Sequence, residues 1–159
     1  MSANTSEFYR SLCLQLEGLL ENERNWITNL SQFSALLNMN LDRINWVGFY
    51  LANSSGDLKL GPFQGNVACI NIPLGKGVCG SAAESRKTIV VEDVDKFDGH
   101  IACDARSRSE VVCPLVKEGQ LIGVLDIDSP EIGRFNDEDA RGLETLVSLL
   151  IEMTDWPAN

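Results

Sequence analysis

No apolar run in this sequence approaches the roughly 20 residues that a membrane-spanning helix needs, and the opening stretch MSANTSEFYR lacks a signal-peptide core. Both absences point to a cytoplasmic protein, in a compartment where cysteines stay mostly as thiols and static disulfides are unexpected. Clustered Lys and Arg are missing too. With 13 basic against 23 acidic residues the formal charge is −10, which excludes the phosphate neutralisation a nucleic-acid binder requires. Such acidity serves solubility and would suit a cationic or zwitterionic small ligand. Closely spaced C-x2-C pairs are absent, so Cys13, Cys69, Cys79, Cys103 and Cys113 do not spell a zinc site. Internal repeats, linkers and low-complexity segments are lacking as well. The 159 residues, 44% of them hydrophobic, suffice for one core, and a single domain over 1–159 with its core at about 6–155 is expected.

What is present divides into helical and strand patterns. Leu12, Cys13, Leu16, Leu19 and Leu20 form a helical stripe between about Ser6 and Glu21. Asn22 or Asn25 can cap a second helix with Trp26, Ile27, Leu30, Phe33 and Leu37 on its apolar face. From Ile44 the run Ile-Asn-Trp-Val-Gly-Phe-Tyr-Leu reads as a strand, ended by Asn53-Ser54-Ser55-Gly56-Asp57. Leu58–Leu60 and Val67–Ile72 predict two more strands of an antiparallel meander. The glycine-rich Leu74–Gly80 matches neither the Walker nor the dinucleotide spacing, so it reads as a tight turn feeding a short helix from Cys79 to Arg86. A strand at Thr88–Asp93 follows. The strongest hairpin signal is Glu110–Val116 joined through Lys117-Glu118-Gly119 to Gln120–Asp128. Asn136 caps a last helix with the stripe Leu143, Leu146, Val147, Leu150 and Ile151, and a fraying polar tail is expected. These joins imply an α+β fold in which terminal helices cover one face of an antiparallel sheet of about six strands.

One segment resists both periodicities. Phe97–Glu110 holds the only histidine, His100, together with Cys103, Asp104, Arg106, Arg108 and Glu110. Long ordered loops of this kind are often lids or binding loops. Cys103 in a polar loop could meet a substrate, while Cys69 on a strand and Cys79 at a helix start could come near it. The helix N-terminus would favour a Cys79 thiolate. Asp104 would raise the Cys103 pKa unless Arg106 or Arg108 compensates. Asp126 and Asp128 alternate on one strand and so share a face, where with Glu110 they could line an acidic cavity. Thiol redox chemistry fits this set better than a Cys–His dyad, because the nearness of His100 to Cys103 in sequence says nothing of geometry.

The motifs Ile44–Tyr50, Leu60–Gly65, Gly77–Gly80, Phe97–Asp104 and Gly123–Ser129, closed by Arg134–Asp139, resemble those of the free methionine-(R)-sulfoxide reductases, stand-alone GAF-domain enzymes. The resemblance runs along nearly the whole chain. It implies a GAF-like fold, with loops and the short helix forming a pocket on the sheet face opposite the terminal helices. It further implies reduction of the R epimer of free methionine sulfoxide with electrons from thioredoxin, without metal or organic cofactor, and suggests a homodimer. On family matching, Cys103 is the nucleophile, Cys69 the resolving cysteine and Cys79 an auxiliary or alternative partner. Glu110, Asp126 and Asp128 match the acidic pocket; Trp46 and Tyr50 match its aromatic wall. Glu110 and Asp128 would polarise the sulfoxide oxygen, Asp126 would assist or meet the substrate ammonium, and Trp46 would hold the S-methyl group. Cys113 reads as a packing thiol and His100 as a loop-shaping residue. The rival reading is a non-catalytic GAF sensor that binds a small ligand; a thiol peroxidase using Cys103 stands further off.

Overall fold

In the computed structural model, which describes residues 3–158, the helices are α1 (Ala3–Leu20), α2 (Trp26–Asn40), α3 (Gly77–Ser85) and α4 (Asp137–Glu152). The strands are β1 (Trp46–Ala52), β2 (Leu58–Gly65), β3 (Asn71–Ile72), β4 (Ile89–Val91), β5 (Ser109–Lys117) and β6 (Gln120–Ser129). They pair in the order β3-β2-β1-β6-β5-β4, antiparallel throughout, which is the α+β GAF architecture expected. The described residues include no helix long and apolar enough to cross a membrane.

Strand alternation builds two cores from one sheet. Val47, Phe49, Val111, Cys113, Leu115, Leu125 and Ile127 point to one face, where Leu12, Leu16 and Leu20 of α1, Leu30, Phe33 and Leu37 of α2, and Leu143, Leu146 and Leu150 of α4 cover them. Trp46, Tyr50, Val112 and Val124 point to the other, against Val78, Cys79, Ala82 and Ala83 of α3. The first face is a dry helical cover. The second is covered by one short helix and by loops, and there the polar residues collect. Leu19 and Ile27, expected on apolar stripes, are exposed at the edges of their helices.

Helix ends follow the capping chemistry of the sequence. The Asn25 side chain accepts from Thr28 N–H at 3.0 Å, so Asn25 rather than Asn22 starts α2. Asn136 and Asp139 form a capping box on α4, and Tyr9 Oη donates to Asp139 Oδ1 at 2.7 Å, tying α1 to that helix start.

Three expectations require correction. Strand structure at Val67–Ile72 is confined to Asn71–Ile72, because β2 runs on through Pro62 to Gly65 and the chain must then turn; Cys69 therefore lies in a loop. The Cys79 helix starts at Gly77, two residues earlier than expected, since positive φ at Gly77 (63°) makes the turn and Lys76 is the N-cap. The C-terminal tail does not fray. Thr154 is fully buried and receives a hydrogen bond from Asn29 Nδ2 at 2.9 Å, and Asp155 pairs with Arg24 at 2.8 Å.

Candidate active site

The α3 face of the sheet places three carboxyl groups by register alone. Glu110 on β5 and Trp46 on β1 both lie directly opposite Asp128 on β6, so the three side chains form a row across three strands. Asp126 sits one step along, between Gly48 and Val112. Glycine at position 48 leaves room for Phe63 of β2, whose Cβ lies where a Gly48 side chain would start. Trp46 consequently stacks on both Phe63 and Tyr50, with centroids 5.1 and 5.9 Å away.

Over this floor lie α3 and two loops, enclosing a cavity of about 40 Å³ lined by Trp46, Tyr50, Cys79, Cys103, Glu110, Asp126 and Asp128 among others. The loop 97–108 is anchored at its ends, through Val94 N–H to Arg108 C=O at 2.9 Å and Arg108 N–H to Ser129 C=O at 2.7 Å. The loop 66–70 is held from below: Trp46 Nε1 donates to the Asn66 carbonyl and Tyr50 Oη to the Cys69 carbonyl, each at 3.1 Å. A Cβ on Gly77 would press on Ile101, so glycine there lets the longer loop close down on α3. The two loops meet in a disulfide between Cys69 and Cys103, 34 residues apart, with Cα atoms 5.4 Å apart.

Burial governs the charges. Glu110, Asp126 and Asp128 all have pKa values pushed well above the carboxylate range, first by desolvation and then by one another's charge. Each is therefore biased towards its protonated form. The expectation of a Cys79 thiolate is overturned for the same reason: desolvation, followed by Asp126, Glu110 and Asp128, drives the thiol upward and outweighs the N-terminus of α3. Burial pushes the His100 pKa down, which disfavours an ion pair between its Nε2 and Glu110 Oε1, 3.6 Å away. Asp104 beside Cys103 is lowered by hydrogen bonds from Arg106, whose guanidinium stands 3.0 Å away; of the two arginines considered, Arg106 supplies the compensation.

Every site residue expected in the sequence is thus gathered in one place, with Cys69 joining through its bond to Cys103. Cys113 is buried in the helical core, and Cys13 lies partly exposed at its edge. Sequence reasoning missed Asn45 and Ser107. Asn45 Nδ2 donates to Asp104 Oδ2 at 3.3 Å and to Ser107 Oγ at 3.2 Å, bracing the Cys103 loop against the start of β1. A polar residue leading directly into an aromatic strand was the available signal. Cys79, Glu110 and Asp126 also lie close enough to share a metal ion, with ligand atoms within 4.8 Å of one another.

The GAF domain family model matches residues 33–151. Over 92% of this chain and 88% of its own length, free methionine-R-sulfoxide reductase of Escherichia coli is 52% identical. Among solved structures, fRMsr of Staphylococcus aureus in reduced form is 54% identical with a TM-score of 0.88, covering 91% of this chain and 94% of its own. The free methionine-R-sulfoxide reductase of Neisseria meningitidis, in complex with its substrate, is 42% identical with a TM-score of 0.90, covering 96% and 91%. With a domain match over most of the chain and relatives this similar along nearly their whole length, the chain belongs to the GAF-domain family of free methionine-R-sulfoxide reductases.

Proposed function

We propose that this protein reduces the R epimer of free methionine sulfoxide to methionine, with Cys103 as nucleophile and Cys69 as resolving thiol. The observation that carries the reading is the Cys69–Cys103 disulfide over a cavity floored by three carboxyl groups, Glu110 and Asp126 buried and Asp128 half-buried. In the reduced enzyme the substrate sulfur lies under Cys103. Its oxygen is held by Glu110 and Asp128, which retain their protons because burial disfavours their anions. The Cys103 thiolate attacks the sulfoxide sulfur as two protons move to the oxygen, so that an S–S bond forms and the S–O bond breaks with release of water. A water oxygen then attacks Cys103 Sγ, the S–S bond breaks with its electron pair leaving on methionine, one proton is given back, and Cys103 is left as a sulfenic acid. The Cys69 thiol attacks that sulfenic sulfur, releasing water and forming the disulfide. Two electrons from thioredoxin, in the cytoplasm, restore both thiols.

The Trp46 face packs the S-methyl group, and Asp126 assists Glu110 or receives the substrate ammonium. The cavity beneath the disulfide is small, about 40 Å³. Reduction of the disulfide frees the Cys103 loop to lift and widen it for the substrate. The enclosure also favours a free amino acid over a residue in a peptide. Metal and organic cofactors have no part in these steps.

A thioredoxin-coupled assay tests this reading with free L-methionine-(R)-sulfoxide, the S epimer and a blocked peptide. Turnover of the free R epimer alone is expected. Turnover of the blocked peptide would overturn the specificity, and no turnover of the R epimer would leave a ligand-binding GAF sensor.

A further inference from the structure

Asp126 is one of three side chains among the described residues with a buried oxygen that no hydrogen bond reaches, and the one carboxyl group of the three. It is only 6% exposed, and its Oδ1 has no hydrogen-bond partner. An orphaned carboxylate oxygen in a desolvated site costs free energy and calls for a ligand. The atoms around it narrow the choice. Cys79 Sγ and a Glu110 carboxyl oxygen lie within 4.8 Å of the Asp126 carboxyl and of each other, and all three residues are buried. Of the residues lining the cavity, Lys76 alone carries a fixed positive charge, and it is exposed.

We propose that Cys79, Glu110 and Asp126 form a site for a thiophilic divalent cation of the zinc class, with the fourth position taken by a water in the adjoining cavity. One sulfur and two carboxyl oxygens converge from three different elements, Cys79 from α3, Glu110 from β5 and Asp126 from β6. A tetrahedral zinc site with Zn–S near 2.3 Å and Zn–O near 2.1 Å sets its ligands roughly 3.5 Å apart. Small side-chain rotations reach that spacing. The thiol discriminates against magnesium and calcium, which prefer all-oxygen shells. The carboxyl groups already sit in strands, so little ordering entropy is lost on binding. A dication entering there displaces protons from these groups and satisfies the orphaned Asp126 oxygen. Since Glu110 is assigned to the sulfoxide oxygen and Asp126 to its support or to the substrate ammonium, cation and substrate exclude each other; that consequence rests on the reductase reading, whereas binding itself does not.

The test is cobalt(II) titration of the disulfide-bonded protein carrying Cys13→Ser. In that form Cys69 and Cys103 have no free thiol, and Cys113 is sealed in the helical core. The expected result is one equivalent of cobalt bound, with a thiolate-to-cobalt charge-transfer band in the near ultraviolet that zinc abolishes. Adding Cys79→Ser should remove the band, and Asp126→Asn should weaken binding at least tenfold, with near-ultraviolet circular dichroism confirming that both variants fold. Absence of the band, or its survival in Cys79→Ser, would overturn the site. The experiment has no catalytic readout, so its failure and that of the reductase reading are distinguishable.

Discussion

Glu110 and Asp128 face each other directly across the β5–β6 ladder, a buried and a half-buried carboxyl group held side by side. As two anions they would repel strongly, as like charges directly opposed in a sheet do. Burial first, and then the charge of Asp128 beside it, push the Glu110 pKa well above the ordinary carboxyl range. The same pair can therefore offer a proton to an entering oxygen.

Glu110→Gln should lower kcat by about 100- to 10,000-fold, the usual contribution of a positioned general acid, while the fold is retained. The thioredoxin-coupled assay measures it. A loss below tenfold would move the proton-donating role to Asp128.

Cys103→Ser should abolish methionine formation altogether. Cys69→Ser should release one methionine per enzyme and then stall, because the sulfenic acid has lost its partner. If recycling by thioredoxin is undiminished in Cys69→Ser, Cys79 is the resolving thiol.

Tyr50→Phe removes the hydrogen bond that holds the Cys69 carbonyl, about 1 kcal/mol of loop anchoring. Disulfide closure should slow several-fold while the first sulfoxide reduction is hardly changed. Rapid-quench measurement of methionine release against thiol loss separates the two steps, and an equal slowing of both would place Tyr50 at the substrate instead.

Desolvation raises the folded-state pKa of Asp126, so the folded protein holds a proton that the unfolded chain releases near pH 3.9. This contribution to stability is complete below the unfolded value and is lost as pH rises towards the folded one. Asp126→Asn has no such proton to lose. Its Tm should exceed that of the parent by a margin that grows from pH 5 to pH 8, and a constant margin would contradict a protonated Asp126.

Iodoacetamide at pH 8 should modify Cys13 alone in the disulfide-bonded protein. Burial holds the Cys113 thiol up at about 12 and raises Cys79 well above the ordinary range. Mass mapping of labelled peptides reads this out, with all three thiols reacting once the chain is unfolded.

Much of this was legible one residue at a time. The spacing of Leu12, Leu16 and Leu20 and of Leu143, Leu146 and Leu150 sets two helical faces, and each is buried in the structure as the period requires. Alternation along β6 puts Asp126 and Asp128 on a common face whatever that strand packs against. The motif resemblance supplied the resolving role of Cys69 and the aromatic pair, which periodicity could not. By contrast, nothing local tells that Asn29 will bury Thr154, or that Asn45 will brace the loop at Ser107.

By itself the sequence determined the elements, their order and the face on which each acid stands, because periodicity, capping and turn chemistry act within a few residues of backbone. Only the tertiary structure decided the charge states and the meeting of the thiols. Desolvation depends on everything packed around a group, so the helix N-terminus that would ionise Cys79 loses to a closed pocket with three carboxyl groups. The approach of Cys69 to Cys103 depends on two loops anchored by strands far apart in sequence, and only the assembled sheet brings those anchors together.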